Sequence, residues 1–217
     1  MSPEAISPTI RPVDEKEHWD AVYDRRGDEQ ASWFRPHLER SLELIEQARL
    51  RSDAAIVDVG GGTSTLVDDL LGRGYTRVTV LDISSRAIVR ARERLGPTAA
   101  AVTWIEGDIT RLELPADEFD FWHDRAVFHF LRDRDARARY VTAARRALKP
   151  GGHIVVATFG PAGPERCSGL EVMRYSADEL HGQFGRTFRK ISSFHELHRT
   201  PGGTEQEFVY CYCKMSE

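Results

Sequence analysis

Val57-Asp58-Val59-Gly60-Gly61-Gly62-Thr63-Ser64 is the stretch that decides the fold. An apolar run that begins at Ala54 stops on three successive glycines, and a helical pattern starts at Ser64. Glycine at a strand end admits positive φ and lets a ligand come close to the main chain. The first turn of the following helix then offers free N–H groups to an anionic group. Many α/β proteins carry such a turn, so its meaning depends on what surrounds it.

Downstream, the same alternation continues. Val78–Leu81 reads as a second strand, followed by a helix over Ser84–Leu95 with Ser84 as N-cap. Val102–Ile105 and Phe119–Trp122 read as the third and fourth strands. A helix over Arg134–Leu148 is closed by Lys149-Pro150-Gly151-Gly152, and His153–Phe159 forms a fifth strand. Repeated strand–helix–strand units predict a parallel sheet covered on both faces. After a helix over Ser176–Phe184, two β-rich stretches (Thr187–His198 and Glu205–Lys214) flank Pro201-Gly202-Gly203-Thr204. That pattern predicts an antiparallel hairpin at one sheet edge. The expected fold is therefore α/β, a seven-stranded mostly parallel sheet with a C-terminal antiparallel hairpin.

Upstream, residues 1–13 hold Pro3, Pro8 and Pro12 among small polar residues and read as a flexible arm. A helix from Asp14 to about Arg26 follows, then Trp33-Phe34, then a helix carrying Leu38, Leu42 and Ile45. Without repeats or internal linkers, residues 14–217 read as a single domain, 14–50 as a helical lid segment and 51–217 as the core.

The 217 residues carry a net charge of −4, with 41% apolar and 29% charged side chains. An acidic balance argues against a nucleic-acid partner or an anionic membrane surface. No apolar run approaches the ~20 residues of a spanning helix, and the N-terminal stretch lacks the apolar centre of a signal peptide. Three cysteines are an odd count, and Cys211 and Cys213 stand too close along a strand to bridge, which points to a reducing, cytoplasmic setting. His195 and His198 fall on opposite faces of a predicted strand, so no metal site is expected.

Four strand ends carry chemistry. Asp82 ends the second strand twenty residues after Gly62, where an acidic side chain takes the hydroxyls of a ribose. Gly107-Asp108-Ile109 follows the third strand and His123-Asp124 the fourth. The plain alternative for Asp82 and Asp108 is that each caps a helix or turn. A nicotinamide site fits less well, because Thr65 occupies the place of the third glycine in Gly-x-Gly-x-x-Gly and the sheet ends in a hairpin.

Over roughly residues 50–215 the chain resembles the class I S-adenosylmethionine-dependent methyltransferases. The resemblance rests on Asp58-Val59-Gly60-Gly61-Gly62, Val80-Leu81-Asp82, Gly107-Asp108-Ile109, Phe119-Asp120-Phe121 and Leu148-Lys149-Pro150-Gly151-Gly152. Ser64 departs from it, standing where the family often has a further glycine. The resemblance implies a Rossmann-like fold with S-adenosyl-L-methionine as cofactor. It implies that Asp58, Gly60, Gly61 and Gly62 lie along the cofactor's methionine and ribose portions. By the same resemblance Asp82 holds the ribose hydroxyls, Ile83 and Ile109 pack on the adenine, and Asp108 accepts from its amino group. Asp124 would face the cofactor's amino end and the methyl acceptor.

Asp124-Arg125-Ala126 is similar to the corresponding segment of thiopurine and thiol S-methyltransferases, and a related arrangement occurs in a group of protein-lysine methyltransferases. His18-Trp19-Asp20 and Ser32-Trp33-Phe34 resemble the N-terminal lid of both groups. Asp124 and His123 are the candidate catalytic residues, the alternatives being an ion pair with Arg125 and a hydrogen-bonded wall residue. His129 reads as a packing residue, and the Gly/Pro loop holding Cys167 as a lid. A thiol acceptor needs the least help, since a few per cent is already thiolate near pH 7, whereas a lysine amine must first lose a proton. The sequence thus points to a methyltransferase acting on a small-molecule nucleophile, sulfur preferred. The alternatives are a protein-lysine N-methyltransferase with a protein substrate, and a non-catalytic S-adenosylmethionine-binding protein.

Overall fold

The structure, a computed structural model, describes residues 14–25 and 27–216. The expected N-terminal arm and Arg26, the expected end of the first helix, lie outside the described residues. Helix α1 (Glu15–Arg25) and helix α2 (Glu39–Gln47) precede the sheet. Strand β1 (Ala55–Val59), α3 (Leu66–Gly72), β2 (Arg77–Asp82), α4 (Ser85–Leu95), β3 (Val102–Glu106) and β4 (Phe119–Arg125) then alternate. Next come α5 (Arg134–Ala147), β5 (Leu148–Phe159), the two-residue strands β6 (Arg166–Cys167) and β7 (Leu170–Glu171), and α6 (Ala177–Phe184). Finally β8 (Phe188–Arg199) and β9 (Glu205–Met215) form the hairpin.

The seven-stranded sheet has the order β3-β2-β1-β4-β5-β9-β8. Strands β1 to β5 pair in parallel, while β9 runs antiparallel to both β5 and β8. Every residue of β1 is buried, as expected of a central parallel strand with both faces covered. Its alternation splits the core in two. Val57 and Val59 pack with Trp122, Tyr140 and Phe184 on the α5–α6 side, and Ile56 packs with Leu42, Ile45 and Leu70 on the α2–α3 side.

Helix starts follow their caps. Ser84 accepts a hydrogen bond from the Ala87 amide, Asp133 from the Ala136 amide, and Ser176 forms a capping box with Glu179. Several boundaries differ from expectation: β4 runs three residues past its expected end, so that His123 and Asp124 lie within it and not after it, and two further differences concern β5 and its neighbours. α5 ends at Ala147 because Leu148 turns to extended geometry (φ −76°, ψ 138°) and is fully buried at the start of β5. Lys149-Pro150-Gly151-Gly152 then forms an irregular stretch of β5, where pairing jumps from Phe119↔Leu148 to Phe121↔His153. Between β5 and α6, the expected Gly/Pro loop contains the small β6–β7 hairpin. Among the described residues no helix is long and apolar enough to cross a membrane.

Candidate active site

The carboxyl ends of β1, β2, β3 and β4 meet at one edge of the sheet and open on a cleft of ≈ 770 Å³, its open mouth included. Its floor is Val59-Gly60 from β1, Asp82-Ile83 from β2 and Gly107-Asp108-Ile109 beyond β3. Ala126, Val127 and Leu131, beyond β4, form one wall. Glu15, Trp19 and Tyr23 of α1, with Trp33, close over the top, and Cys167 of β6 reaches the far end. A second cavity of ≈ 470 Å³ adjoins it under Asp58, Gly61, Thr63 and Ser64. Tyr23, Trp33, Gly60 and Arg125 line both spaces.

The glycine turn is shaped by close approach. Gly60 has φ +67° and Gly62 φ +44°, and the Gly60 amide donates to the Leu81 carbonyl at 2.7 Å. A Cβ on Gly60 would lie 1.9 Å from Val127 Cγ2, and one on Gly62 would lie 2.6 Å from the Tyr23 hydroxyl and 2.9 Å from Asp82 Oδ2. No larger residue fits either place. Asp82 is buried, and its Oδ1 accepts from the Ser84 amide at 2.8 Å. Burial raises its pKa to about 7, opposed by the Ser84 N–H and reinforced by the charge of Asp58. Asp108 lines the cleft while its Oδ1 also accepts from the Thr110 amide and hydroxyl, both at 2.8 Å. Asp108 thus lines the cleft and caps its turn at once. Burial also raises the pKa of Glu15, helped by the nearby charge of Asp108.

α1 is pinned over this floor. Asp20 Oδ1 accepts from the Ser84 hydroxyl at 2.6 Å and the Arg86 amide at 3.3 Å. Lys16 bridges Asp20 (3.0 Å) and Glu106 (2.9 Å). Inside, Trp19 meets Phe130 edge-on at 5.0 Å and Trp33 at 5.9 Å, and Tyr23 meets Trp33 at 6.2 Å. Trp33 lines both spaces, whereas Phe34 lines only the second.

The two candidate catalytic residues sit elsewhere than the sequence suggested. Asp124 is fully buried and points into the core. Its carboxylate accepts from the Val127 amide (2.9 Å), the Phe128 amide (3.1 Å) and the Tyr140 hydroxyl (2.6 Å). It thereby holds the turn in which Ala126 adopts φ +75°. Burial raises its pKa to about 6 against the pull of those donors. His123, also buried, is spent between Asp58 Oδ1 (2.7 Å) and Ser41 Oγ (2.8 Å). Neither side chain lines the main cleft, although His123 borders the adjoining second cavity.

Asp58 keeps one oxygen in reserve. Its Oδ2 is buried without a hydrogen-bond partner, 2.6 Å from where a Gly61 Cβ would stand. Sequence reasoning did not single out Arg125, Phe130, Leu131 or Tyr23 as cleft groups. Arg125 carried a signal in the Asp124-Arg125-Ala126 likeness, and Tyr23 in its place on the apolar face of the first helix. His129 packs as expected: its Nδ1 accepts from the Phe159 amide at 3.3 Å, and burial holds its pKa down at about 3. His195 and His198 face opposite ways, His195 to Glu207 (2.7 Å) and His198 to the Ser32 carbonyl (2.7 Å).

A family model described as "Methyltransferase domain" matches residues 56–152, which hold the glycine turn and the three acidic strand ends that follow it. The matched segment is a methyltransferase domain. The chain is 26% identical over 157 residues to EEF1A lysine methyltransferase 2 of Danio rerio, covering 65% of the chain and 66% of that protein. It is 34% identical over 113 residues to the ubiquinone/menaquinone biosynthesis C-methyltransferase of Paracoccus denitrificans, covering 50% and 44%. A solved S-adenosylmethionine-dependent methyltransferase from Methanosarcina mazei superposes with a TM-score of 0.66 at 19% identity, over 79% of this chain and 97% of that one. The chain thus spans about two thirds of the first relative's length and under half of the second's. Its site fits the family's cofactor: the glycine turn brings bare backbone to the cleft among side chains that exclude any Cβ, and the unpartnered Asp58 Oδ2 offers an acceptor beside it.

Proposed function

We propose that the protein transfers a methyl group from S-adenosylmethionine to a small-molecule nucleophile, with sulfur the preferred acceptor atom. The observation that carries this reading is the lack of a positioned base at the acceptor end of the cleft. Among the described residues lining the cleft, the carboxylates Glu15, Asp82 and Asp108 gather at the ends of β2 and β3 and under α1. Beyond the glycine turn stand Trp33, Arg125, Phe130 and Cys167; Asp124 is committed to the core, and His123, which borders only the second cavity, is spent between Asp58 and Ser41. An acceptor that supplies its own anion suits such a site, and a thiol does so.

When bound, the cofactor supplies a methyl carbon already activated by its sulfonium. The chain's part is binding, alignment and exclusion of water. In this reading ionised Asp82 accepts from the ribose hydroxyls, Ile83 and Ile109 pack on the adenine, and Asp108 accepts from its amino group. Asp58 Oδ2 takes the cofactor's ammonium beside Gly60, Gly61 and Gly62. Asp124 acts at one remove, by fixing the Ala126-Val127 turn against Gly60. Three buried cysteine thiols support a reducing, cytoplasmic setting.

The second reading, a protein-lysine N-methyltransferase, is favoured by the relative that bears that name at 26% identity. Calorimetric titration with S-adenosylhomocysteine, NADH serving as control, tests the cofactor first. Transfer of labelled methyl to aryl and alkyl thiols, against lysine-rich protein acceptors, then separates the readings. Labelling of thiols alone is expected. Labelling of protein alone would move the assignment to lysine, and binding without any transfer would leave a non-catalytic cofactor-binding protein.

A further inference from the structure

Ile109 lines the main cleft and also a second concave surface outside it. The turn from Ile109 to Leu114 and one face of α5 from Ala138 to Arg146 enclose a groove of ≈ 770 Å³, its open side included. Its floor is apolar. Leu114 is buried there, and Leu112 and Ala143 are half-buried against the core. The turn is rigid, because the Asp108 carbonyl accepts from the Arg111 amide at 2.9 Å and the Leu112 amide at 3.0 Å.

The rim is basic. Arg111, Arg139 and Arg146 stand on it against the single carboxylate of Glu113. Arg146 reaches Glu113 only at 3.9 Å, with both side chains largely exposed. Arg139 is exposed and makes no ion pair among the described residues. An apolar floor with a polar rim marks an interaction surface, and arginine is enriched where proteins meet. Complementarity then describes the occupant: carboxylates for the rim, with apolar side chains between them for the floor. Arg139 and Arg146 lie seven residues apart on α5, about 10.5 Å along its axis. An extended peptide covers that span in about three residues. Small ligands are normally enclosed on most sides, which an open groove does not do. Nucleic acid would bring phosphates but nothing apolar for the floor, and the net charge of −4 disfavours it.

We propose that this groove docks an acidic amphipathic segment of a partner protein, and that docking is felt at the adenine end of the cleft. Two contacts make the connection. Ile109 is a wall of both spaces, and Arg111 holds Asp108 Oδ2 at 3.2 Å while Thr110 takes Oδ1. A carboxylate that draws Arg111 into the groove releases Oδ2 to accept from the adenine amino group. The coupling rests on the cofactor reading above; the docking does not.

The probe is the fluorescein-labelled peptide Glu-Leu-Glu-Glu-Leu-Glu-Glu-Leu-Glu, its binding to the cofactor-free protein followed by anisotropy. Its counterparts carry lysine for glutamate or serine for leucine, and a labelled DNA duplex is titrated beside them. The acidic leucine peptide is expected to bind at least about tenfold tighter than either counterpart, a difference of about 1.4 kcal/mol. Arg139→Glu with Arg146→Glu should weaken it by about tenfold or more, while melting temperature and S-adenosylhomocysteine affinity stay unchanged, since both groups are exposed and outside the cleft. Absence of peptide binding, equal binding of the serine counterpart, or indifference to the double variant would each overturn the docking. Tighter binding of the duplex would do so too, by giving the patch to nucleic acid.

The coupling has its own readout. Saturating peptide should tighten S-adenosylhomocysteine about threefold or more, and S-adenosylhomocysteine should tighten the peptide by the same factor. Arg111→Gln should tighten S-adenosylhomocysteine by itself and remove the effect of the peptide. Unchanged affinity with the peptide bound would overturn the coupling and uphold the docking alone. Should S-adenosylhomocysteine not bind at all, the cofactor reading fails and the coupling with it, while the peptide titration still decides the docking.

Discussion

The cofactor end of the cleft draws its groups from Val59 to Ile109, whereas the acceptor end gathers Trp19, Trp33, Arg125, Phe130 and Cys167 from across the chain. At the first end each polar group stands at or just beyond a strand end and is held by its own turn, as Asp82 is by Ser84 and Asp108 by Thr110. At the second, each depends on partners far away in sequence: Arg125 on Tyr210 and Trp33, and the turn after it on Tyr140 through Asp124. A site assembled from local turns survives changes elsewhere in the chain. One assembled from distant contacts can be retuned by them, which suits the half of an enzyme where specificity varies.

Substitutions at the two ends should separate them, beginning where the effect is largest. Gly60→Ala forces Cβ onto Val127 Cγ2 and keeps an unfavourable φ of +67°. The expected cost is about 3 kcal/mol, seen as a lowered melting temperature. Adding Val127→Ala should recover the clash but not the backbone strain. A Gly60→Ala protein of unchanged stability would mean that the turn is looser than drawn.

Asp82→Asn should weaken S-adenosylhomocysteine binding by roughly ten- to a hundredfold, the worth of a charge-assisted hydrogen bond. The pH dependence sharpens this. With the Asp82 pKa raised to about 7, affinity in the unaltered protein should fall as pH drops from 8 to 6, and the Asn variant should lose that slope. Stability of the free protein should move the other way. A carboxyl with a raised folded pKa favours the fold in its protonated form, so its contribution fades as pH rises from the ordinary carboxylate range through about 7. Titration of binding and of unfolding over the same pH range would break the argument if both slopes had one sign.

Asp124→Asn should have the smallest effect. The amide keeps an acceptor for the Val127-Phe128 turn and sheds a charge that burial already disfavours, so a loss of about 1 kcal/mol is expected, with most turnover retained. A collapse of turnover at unchanged stability would return Asp124 to the acceptor.

The difference between the two ends also explains what the sequence made legible. Strand–turn–helix order, the hairpin and the acidic strand ends follow from short-range pattern, and the sheet order agrees with them. The direction of Asp124 does not. Alternation along β4 gives successive residues opposite faces, yet the positive φ of Ala126 and the reach of Tyr140 from α5 decide where the carboxylate goes. Likewise β6 and β7 are two residues each, too short to carry a period. His123 was visible as a polar group at a strand end, but its partner Ser41 lies eighty-two residues earlier.

The clasp on α1 has a kinetic side. Trp19 and Tyr23 roof the floor only while Asp20 keeps the Ser84 hydroxyl and Lys16 keeps Glu106. Whatever is seated beneath that roof departs when the clasp opens, on the microsecond-to-millisecond scale of lid motions. Residence time in the cleft is thereby set at a handful of half-exposed contacts on its rim, far from the atoms that react.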